Sequence, residues 1–148
     1  MNSLLEHFWT TLGRLVPADA SLILACSGGP DSQVMLSLTG QLLSSGANYK
    51  VVAVGVNHGL RPEAAGELDF ASVLAAKHSI EFHRLCVDVA PQGNTLQNAR
   101  EARYSAIRAF AETLESPAFI LTAHSATDQC ETMVQRFTRG TGLRGAAA

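Results

Sequence analysis

The segment Ser27-Gly28-Gly29-Pro30-Asp31-Ser32 combines residue types that bind phosphate. It follows the apolar run Ser21–Cys26 and precedes a helical pattern over residues 32–44. Glycines let the backbone approach a ligand closely, and the amide groups at the start of a helix attract anions. Asp31 would repel a phosphate unless a metal ion bridged the two, so its carboxylate points to bound Mg²⁺. The alternative is a tight turn in which serine or aspartate only caps the helix.

Polar residues also follow two other apolar runs. Asn57-His58-Gly59 comes after the second run and can wrap an adenine or a ribose, although His58 alone is equally typical of an ordinary loop. His124 follows the fourth run, and Asp128 and Glu131 come three residues apart at the start of a predicted helix. This pair could attract an ammonium group, but carboxylates are also common in the first turn of helices.

Arginines form a further group of candidates. Arg100 and Arg103 lie three residues apart in a predicted helix, so they share a face and suit phosphate binding. A solvated helix face with glutamates nearby is the alternative. Residues 132–148 contain three arginines and no acidic residue, namely Arg136, Arg139 and Arg144. This segment is either the edge of a nucleic-acid surface or a basic chain end.

Four apolar runs rich in β-branched residues alternate with helical patterns along the chain. The patterns predict strands over 21–26, 50–56, 82–87 and 118–123, and helices over 3–15, 32–44, 63–78, 95–115 and 127–138. Apolar strands that are each followed by a helix indicate an α/β fold, an open parallel sheet of about four strands with helices on both faces. In such a sheet ligands bind beyond the carboxyl ends of the strands, where the polar segments should meet.

The composition narrows the class of protein. With 148 residues, 47% hydrophobic and 16% charged, the chain suits one folded domain and not a disordered segment. Its formal charge of -2 excludes binding of a long nucleic acid through an overall basic surface. Cys26, Cys86 and Cys130 form no Cys-x-x-Cys pair, so we expect buried, reduced thiols rather than disulfides or a zinc site. No apolar run approaches the about 20 residues of a membrane span and no signal peptide is recognisable, so we expect a cytoplasmic protein.

Five segments together resemble the PP-loop (N-type) ATP pyrophosphatases and, among them, the tRNA(Ile)-lysidine synthetase family. SGGPDS at residues 27–32 matches the S-G-G-x-D-S signature of the PP-loop enzymes. The segments VNHGLR, NAREARY, HSATDQCET and RFTRGTGLRG resemble the lysidine synthetases, in the same order along the chain. Within HSATDQCET, Ser125 and Thr127 replace a histidine and an aspartate of the family pattern. The resemblance implies a Rossmann-like sheet of the adenine nucleotide alpha hydrolase type.

The same resemblance implies roles for individual residues. ATP would be bound by Ser27, Gly28, Gly29, Pro30, Asp31, Ser32, Asn57, His58 and Gly59. The catalytic residues would be Asp31, Arg100, Arg103 and His124, with Asp31 also the implied Mg²⁺ ligand. The lysine substrate would be bound by Asp128 and Glu131, and tRNA(Ile) would be contacted by Arg136, Arg139 and Arg144.

The implied reaction uses ATP to adenylate the anticodon cytidine of tRNA(Ile), after which lysine displaces AMP and forms lysidine. The chain would be a single PP-loop nucleotide-binding domain over residues 1–148 that lacks the family's last strand and C-terminal tRNA-binding region, and a homodimer is one assembly we consider. A minimal stand-alone module that binds ATP or AMP, with weak or no tRNA activity, is the alternative. A tRNA thiolation enzyme is a further rival, for which Cys130 is the only cysteine near a motif.

Overall fold

The computed structural model describes residues 3–89 and 93–124, and within these ranges helices and strands alternate. Every helix and strand predicted there is present, with ends that differ by up to three residues from the predicted ones. The helix predicted over 127–138 lies outside the described residues. The elements in chain order are α1 Ser3–Leu15, β1 Ser21–Cys26, α2 Pro30–Ser44, β2 Lys50–Asn57, α3 Glu63–Lys77, β3 Glu81–Cys86, α4 Thr95–Glu112 and β4 Ala118–Thr122.

The described strands form one parallel sheet in the order β3-β2-β1-β4. In the register of β1 with its two neighbours, Ser21 pairs with Lys50 and with Ala118, so the three strands start level with one another. The chain runs from β1 through β2 to β3 in one direction, then returns to place β4 on the other side of β1. This reversal makes the carboxyl ends of β1 and β4 the switch point, the place where such sheets bind ligands.

Side chains of β1 alternate between two buried layers. Leu24 and Cys26 pack with α2 and α3 on one face, whereas Ile23 and Ala25 pack with α4 residues, Ile107 among them, on the other face. All six residues of β1 are buried, which explains why this strand reads as a continuous apolar run. The predicted α/β fold, a parallel sheet with helices on both faces, is confirmed.

Helix α1 packs on the same face as α2. Leu12 and Val16 join Leu22 of β1 and Leu42 of α2 in a separate buried cluster. Within the described ranges, no helix is both long enough and apolar enough to cross a bilayer.

Helices α2 and α3 approach each other closely at Gly40. This residue is buried in the middle of α2, and a Cβ placed on it would lie 2.7 Å from the Cβ of His78, with the imidazole ring closer still. Real Cβ atoms are not found so near another carbon, so only glycine fits this crossing.

Strand β3 departs from the expectation of a buried apolar run. It lies at the edge of the sheet, and Glu81, Arg84 and Cys86 are exposed. The expectation of buried thiols is therefore correct for Cys26 and wrong for Cys86. Among the described strands β3 has a neighbour on one side only, and three of its six residues face solvent.

Candidate nucleotide-binding site

The turn between β1 and α2 is short and its conformation is specific. Only three residues separate Cys26 from Pro30, and we call the segment Ser27–Ser32 the phosphate loop. Gly28 adopts the left-handed conformation at φ 84°, and Gly29 is extended at φ -71° and ψ 166°. Helix α2 begins at Pro30, two residues before its predicted start, because the fixed φ of proline suits the first turn of a helix.

Two carbonyl groups of the phosphate loop are bound by side chains of α2. Gln33 donates from Nε2 to the carbonyl oxygen of Gly28 at 2.8 Å. Ser32 donates from its hydroxyl to the carbonyl oxygen of Gly29, also at 2.8 Å, and its side chain is buried. The Ser32 hydroxyl therefore stabilises the loop itself. With these carbonyls occupied, and with no side chain among the described residues capping α2, the helix start is suited to an anion.

Gly28 rests directly on helix α3. A Cβ at this position would lie 2.5 Å from the Cβ of Glu67 and 2.9 Å from its carbonyl carbon. A Cβ at Gly29 would lie 3.5 Å from the hydroxyl oxygen of Ser27, an ordinary contact. Of the two neighbouring glycines, Gly28 is therefore the one that both its backbone angle and its surroundings require.

The segment Asn57–Arg61, which we call the second loop, begins at the last residue of β2 and folds back on itself. The Asn57 side chain accepts a hydrogen bond from the amide of Gly59 at 3.0 Å, and Nδ1 of His58 accepts one from the amide of Leu60 at 3.2 Å. Part of the predicted ATP-binding set thus serves to shape the loop.

Glu67 connects the two loops. Its backbone and Cβ support Gly28, and its carboxylate accepts a hydrogen bond from Nη2 of Arg61 at 2.8 Å. Sequence reasoning missed this residue, because Glu67 lies in the second turn of a helix, with Arg61 six positions before it and Gly28 far away in the chain. The only signal in the sequence for this ion pair was an arginine shortly before the predicted helix and a glutamate early within it.

The two arginines of α4 occupy different environments. Arg103 is partly buried and donates from Nη2 to the carbonyl oxygen of Ala25, near the carboxyl end of β1, at 3.4 Å. Arg100 is exposed, and its guanidinium lies 5.7 Å from the ring centroid of Tyr104. The fold thus brings Arg103 to the strand that carries the phosphate loop, and directs Arg100 toward solvent.

Burial changes the pKa of two groups beneath the phosphate loop. Desolvation raises the pKa of the Cys26 thiol to about 11, and the nearby positive charge of Arg103 opposes part of this rise. Desolvation also lowers the pKa of Arg103 below its usual value, against the opposing influence of Tyr104. Cys26 is therefore a neutral thiol at physiological pH, whereas an arginine stays charged even with a lowered pKa.

The end of β4 completes the switch point. His124 lies two residues beyond the end of this strand, is exposed, and borders with Asp31 a groove of about 590 Å³ between α1, α2 and β4. The groove walls are mostly apolar, with Leu4, Leu15 and Phe119 among them. Asp31 and His124 are far apart in the chain, and the strand order brings both to the edge of the same groove.

Among the described residues that line this groove, Asp31 is the only carboxylate that could help to hold a divalent cation. No group of three or more histidine, cysteine, aspartate or glutamate side chains within residues 3–89 and 93–124 could hold a metal ion. Asp31 is exposed in the first turn of α2 and offers one carboxylate. Mg²⁺ is commonly held by one or two carboxylates plus substrate phosphates, and a single carboxylate beside a phosphate loop suits that arrangement.

The remaining predicted site residues lie outside the described part of the chain. They are Asp128 and Glu131 for lysine, Arg136, Arg139 and Arg144 for tRNA, and Cys130 for the thiolation rival.

A parallel sheet with a glycine-rich phosphate loop at its switch point defines a nucleotide-binding α/β protein. Residues 4–148 match the PP-loop domain family, and the chain belongs to that family.

Curated relatives carry the name tRNA(Ile)-lysidine synthase. The relative from Novosphingobium aromaticivorans is 39% identical over 84% of this chain, and the one from Pseudomonas aeruginosa is 41% identical over 84%. The matched regions make up 36% and 28% of those two proteins, so the chain spans about a third of the length of the relatives it matches.

Among solved structures, the chain resembles the U34-tRNA thiolase NcsA from Methanococcus maripaludis, which was solved with its 4Fe-4S cluster. The TM-score is 0.78 over 95% of this chain and 50% of the thiolase, with 19% identity. At this identity the likeness shows a shared fold and does not favour the thiolation rival.

Proposed function

We propose that this chain supplies the ATP-using site of a tRNA(Ile)-lysidine synthase. ATP transfers its AMP portion to the C2 oxygen of the anticodon cytidine and releases pyrophosphate, and the ε-amine of lysine then attacks C2 and expels AMP. The observation that carries the proposal is the phosphate loop at the switch point, in a chain 39% identical over 84% of its length to a protein with that name. The names of the relatives do not favour a stand-alone ATP-binding module.

The described residues suit distinct parts of this chemistry. The start of α2 presents amide groups to the phosphates, and Arg103 adds a positive charge beneath the end of β1. Asp31 would hold Mg²⁺ together with phosphate oxygens, and the ion, when bound, offsets phosphate charge as pyrophosphate leaves. His124, which lines the same groove as Asp31, would accept the proton that the lysine amine must lose.

Other assignments in the proposal come from the resemblance alone. Asp128 and Glu131 would bind the lysine ammonium group, Arg100 would assist adenylation, and the arginines at 136, 139 and 144 would contact tRNA. The protein would work in the cytoplasm, where its ATP, lysine and tRNA substrates are found. A homodimer stays a prediction.

The test is an assay of the chain with Mg²⁺, ATP, radiolabelled lysine and a tRNA(Ile) transcript at high concentration. We expect AMP and pyrophosphate as products, together with label bound to the tRNA. The matched control is a transcript with uridine in place of the anticodon cytidine, which should accept no label. Formation of ADP and phosphate, or no product at all, would contradict the proposal.

A further inference from the structure

We propose that Glu67 is a positioning residue that fixes the phosphate loop against the second loop, so that the two loops bind the two halves of one ATP molecule. The inference rests on the proposed function, because it assumes that the triphosphate lies on the phosphate loop and the nucleoside on the second loop. Glu67 itself touches neither half.

The first step of the argument is the contact between Gly28 and Glu67. Gly28 is the residue on which the shape of the phosphate loop depends, since its φ of 84° is open to few other residues. It packs so closely on the backbone of Glu67 that no side chain atom fits between them. Any shift of α3 at this point is therefore transmitted to the phosphate loop.

The second step is the ion pair between Glu67 and Arg61. The carboxylate reaches Nη2 of Arg61 at 2.8 Å, and Arg61 belongs to the second loop, whose backbone is held by its own Asn57 and His58 side chains. The two side chains are 35% and 58% exposed, so solvent screens the pair and its contribution is modest. One residue thus contacts both loops at once.

The third step is what ATP requires of the two loops. A ligand that contacts both is bound best when their separation already matches its length, because the loops then lose little conformational freedom on binding. Inorganic tripolyphosphate needs only the phosphate loop. A residue that sets the separation should therefore affect ATP and leave tripolyphosphate unchanged.

The experiment compares the dissociation constants for ATP and for inorganic tripolyphosphate, by calorimetry on the full chain. Glu67→Ala keeps the Cβ that supports Gly28 and favours the helix, so the fold should persist and the melting temperature should not change. We expect ATP binding about fivefold weaker, the upper end for an exposed ion pair, with tripolyphosphate binding unchanged. Glu67→Gln keeps an oxygen that can accept a hydrogen bond from Arg61, so it should weaken ATP binding less than Glu67→Ala does. In an Arg61→Ala background, Glu67→Ala should make no further change.

The matched control is Asp69→Ala. Asp69 lies on the same helix and forms an exposed ion pair with Arg84 of β3, which belongs to neither loop, so ATP binding should not change. Equal weakening of ATP and tripolyphosphate by Glu67→Ala, an added loss in the Arg61→Ala background, or the same effect from Asp69→Ala would overturn the inference. If the wild type binds ATP and Glu67→Ala has no effect on that binding, the inference is overturned and the proposed function is not. Failure of the wild type to bind ATP would overturn both this inference and the proposed function.

Discussion

Arg103 of α4 donates a hydrogen bond from Nη2 to the carbonyl oxygen of Ala25 in β1, at 3.4 Å and across 78 positions of the chain. This contact sets a positive charge beneath the strand end from which the phosphate loop emerges. Arg100, one turn earlier in the same helix, contacts Tyr104 and faces solvent. The two arginines look equivalent in the sequence, but the fold partly buries Arg103 and leaves Arg100 exposed.

The first prediction ranks these two arginines. Arg103→Ala should weaken ATP binding about tenfold and lower the free energy of unfolding by about 1 kcal/mol, because a charged hydrogen bond is lost from a partly buried site. Arg100→Ala should change stability by less than about 0.5 kcal/mol, since it is exposed. Calorimetry and urea unfolding measure both quantities, and Arg108→Ala, an exposed arginine of the same helix, is the control. Equal losses of ATP affinity in the Arg103 and Arg108 variants would contradict the ranking.

The second prediction separates the two glycines of the phosphate loop. Gly28→Ala requires a left-handed alanine and a Cβ 2.5 Å from that of Glu67, so it should abolish measurable ATP binding and cost about 2 kcal/mol of stability. Gly29→Ala meets only an ordinary contact with Ser27, so ATP binding should fall by no more than about threefold, from the poorer helix cap alone. Thermal unfolding and ATP titration test the pair. A Gly29→Ala variant as damaged as Gly28→Ala would show that the contact with Glu67 is not the cause.

The third prediction concerns helix packing away from the site. Gly40→Ala should lower the free energy of unfolding by about 1 to 2 kcal/mol, because the clash with His78 outweighs the gain of about 1 kcal/mol in helix propensity. Gly13→Ala, on an exposed helix position with open space around it, should instead raise stability by about 0.5 to 1 kcal/mol. Urea unfolding at constant pH measures both. If the two substitutions shift stability in the same direction, the close approach of α2 and α3 is wrong.

The fourth prediction follows from the raised pKa of Cys26. Because its folded pKa of about 11 exceeds that of an unfolded thiol, the folded state holds the proton more tightly. The resulting stability is complete below the unfolded pKa and is lost as the pH rises through the folded one, a difference of about 2 kcal/mol between pH 8 and pH 11. Cys26→Ala should lack this difference, so the wild-type and variant unfolding curves should converge at high pH. A constant offset between them would contradict the prediction.

Alkylation gives an independent check on the same thiol. At pH 8, iodoacetamide should modify the exposed Cys86 in the native protein and leave Cys26 unmodified until the chain is denatured. Peptide mapping by mass spectrometry reads the two sites separately. Labelling of Cys26 at the rate of Cys86 would show that the thiol is accessible.

The fifth prediction concerns the metal. Asp31→Asn should leave the melting temperature unchanged, because the side chain is exposed, yet raise the Mg²⁺ concentration needed for half-maximal pyrophosphate release several-fold. Glu63→Gln, also an exposed acid in the first turn of a helix, is the control. An unchanged Mg²⁺ requirement in Asp31→Asn would remove Asp31 from the metal site.

The sequence predicted the sheet well because each strand carries a local signal. The run Ser21–Cys26 is apolar on both faces, as a central parallel strand must be, and the loop after it stands where a parallel sheet binds its ligands. The edge strand β3 was harder, since the exposure of its residues depends on which strands flank it. Strand order is a long-range property, and it alone decides that Asp31 and His124 share a rim.

Two parts of the site that were not predicted depend on contacts between distant segments. The support of Gly28 by Glu67 and the burial of Arg103 against Ala25 join residues far apart in the chain. The hydroxyl of Ser32 could have faced a phosphate or the loop, and only the fold directs it to the Gly29 carbonyl. Residue type and spacing indicated the chemistry, whereas packing determines which side chains are free to perform it.

The pairing of β1 with β4 has a consequence for synthesis on the ribosome. The hydroxyl groups of Ser21 and Ser116 lie 2.6 Å apart although 95 positions separate them in the chain. At about 5 to 20 residues per second, translation needs about 5 to 20 seconds to pass from one to the other. During that interval β2 and β3 can join one side of β1, while its other side presents an unpaired apolar edge to the cell. The nascent chain is therefore a natural client for chaperones until its fourth strand emerges.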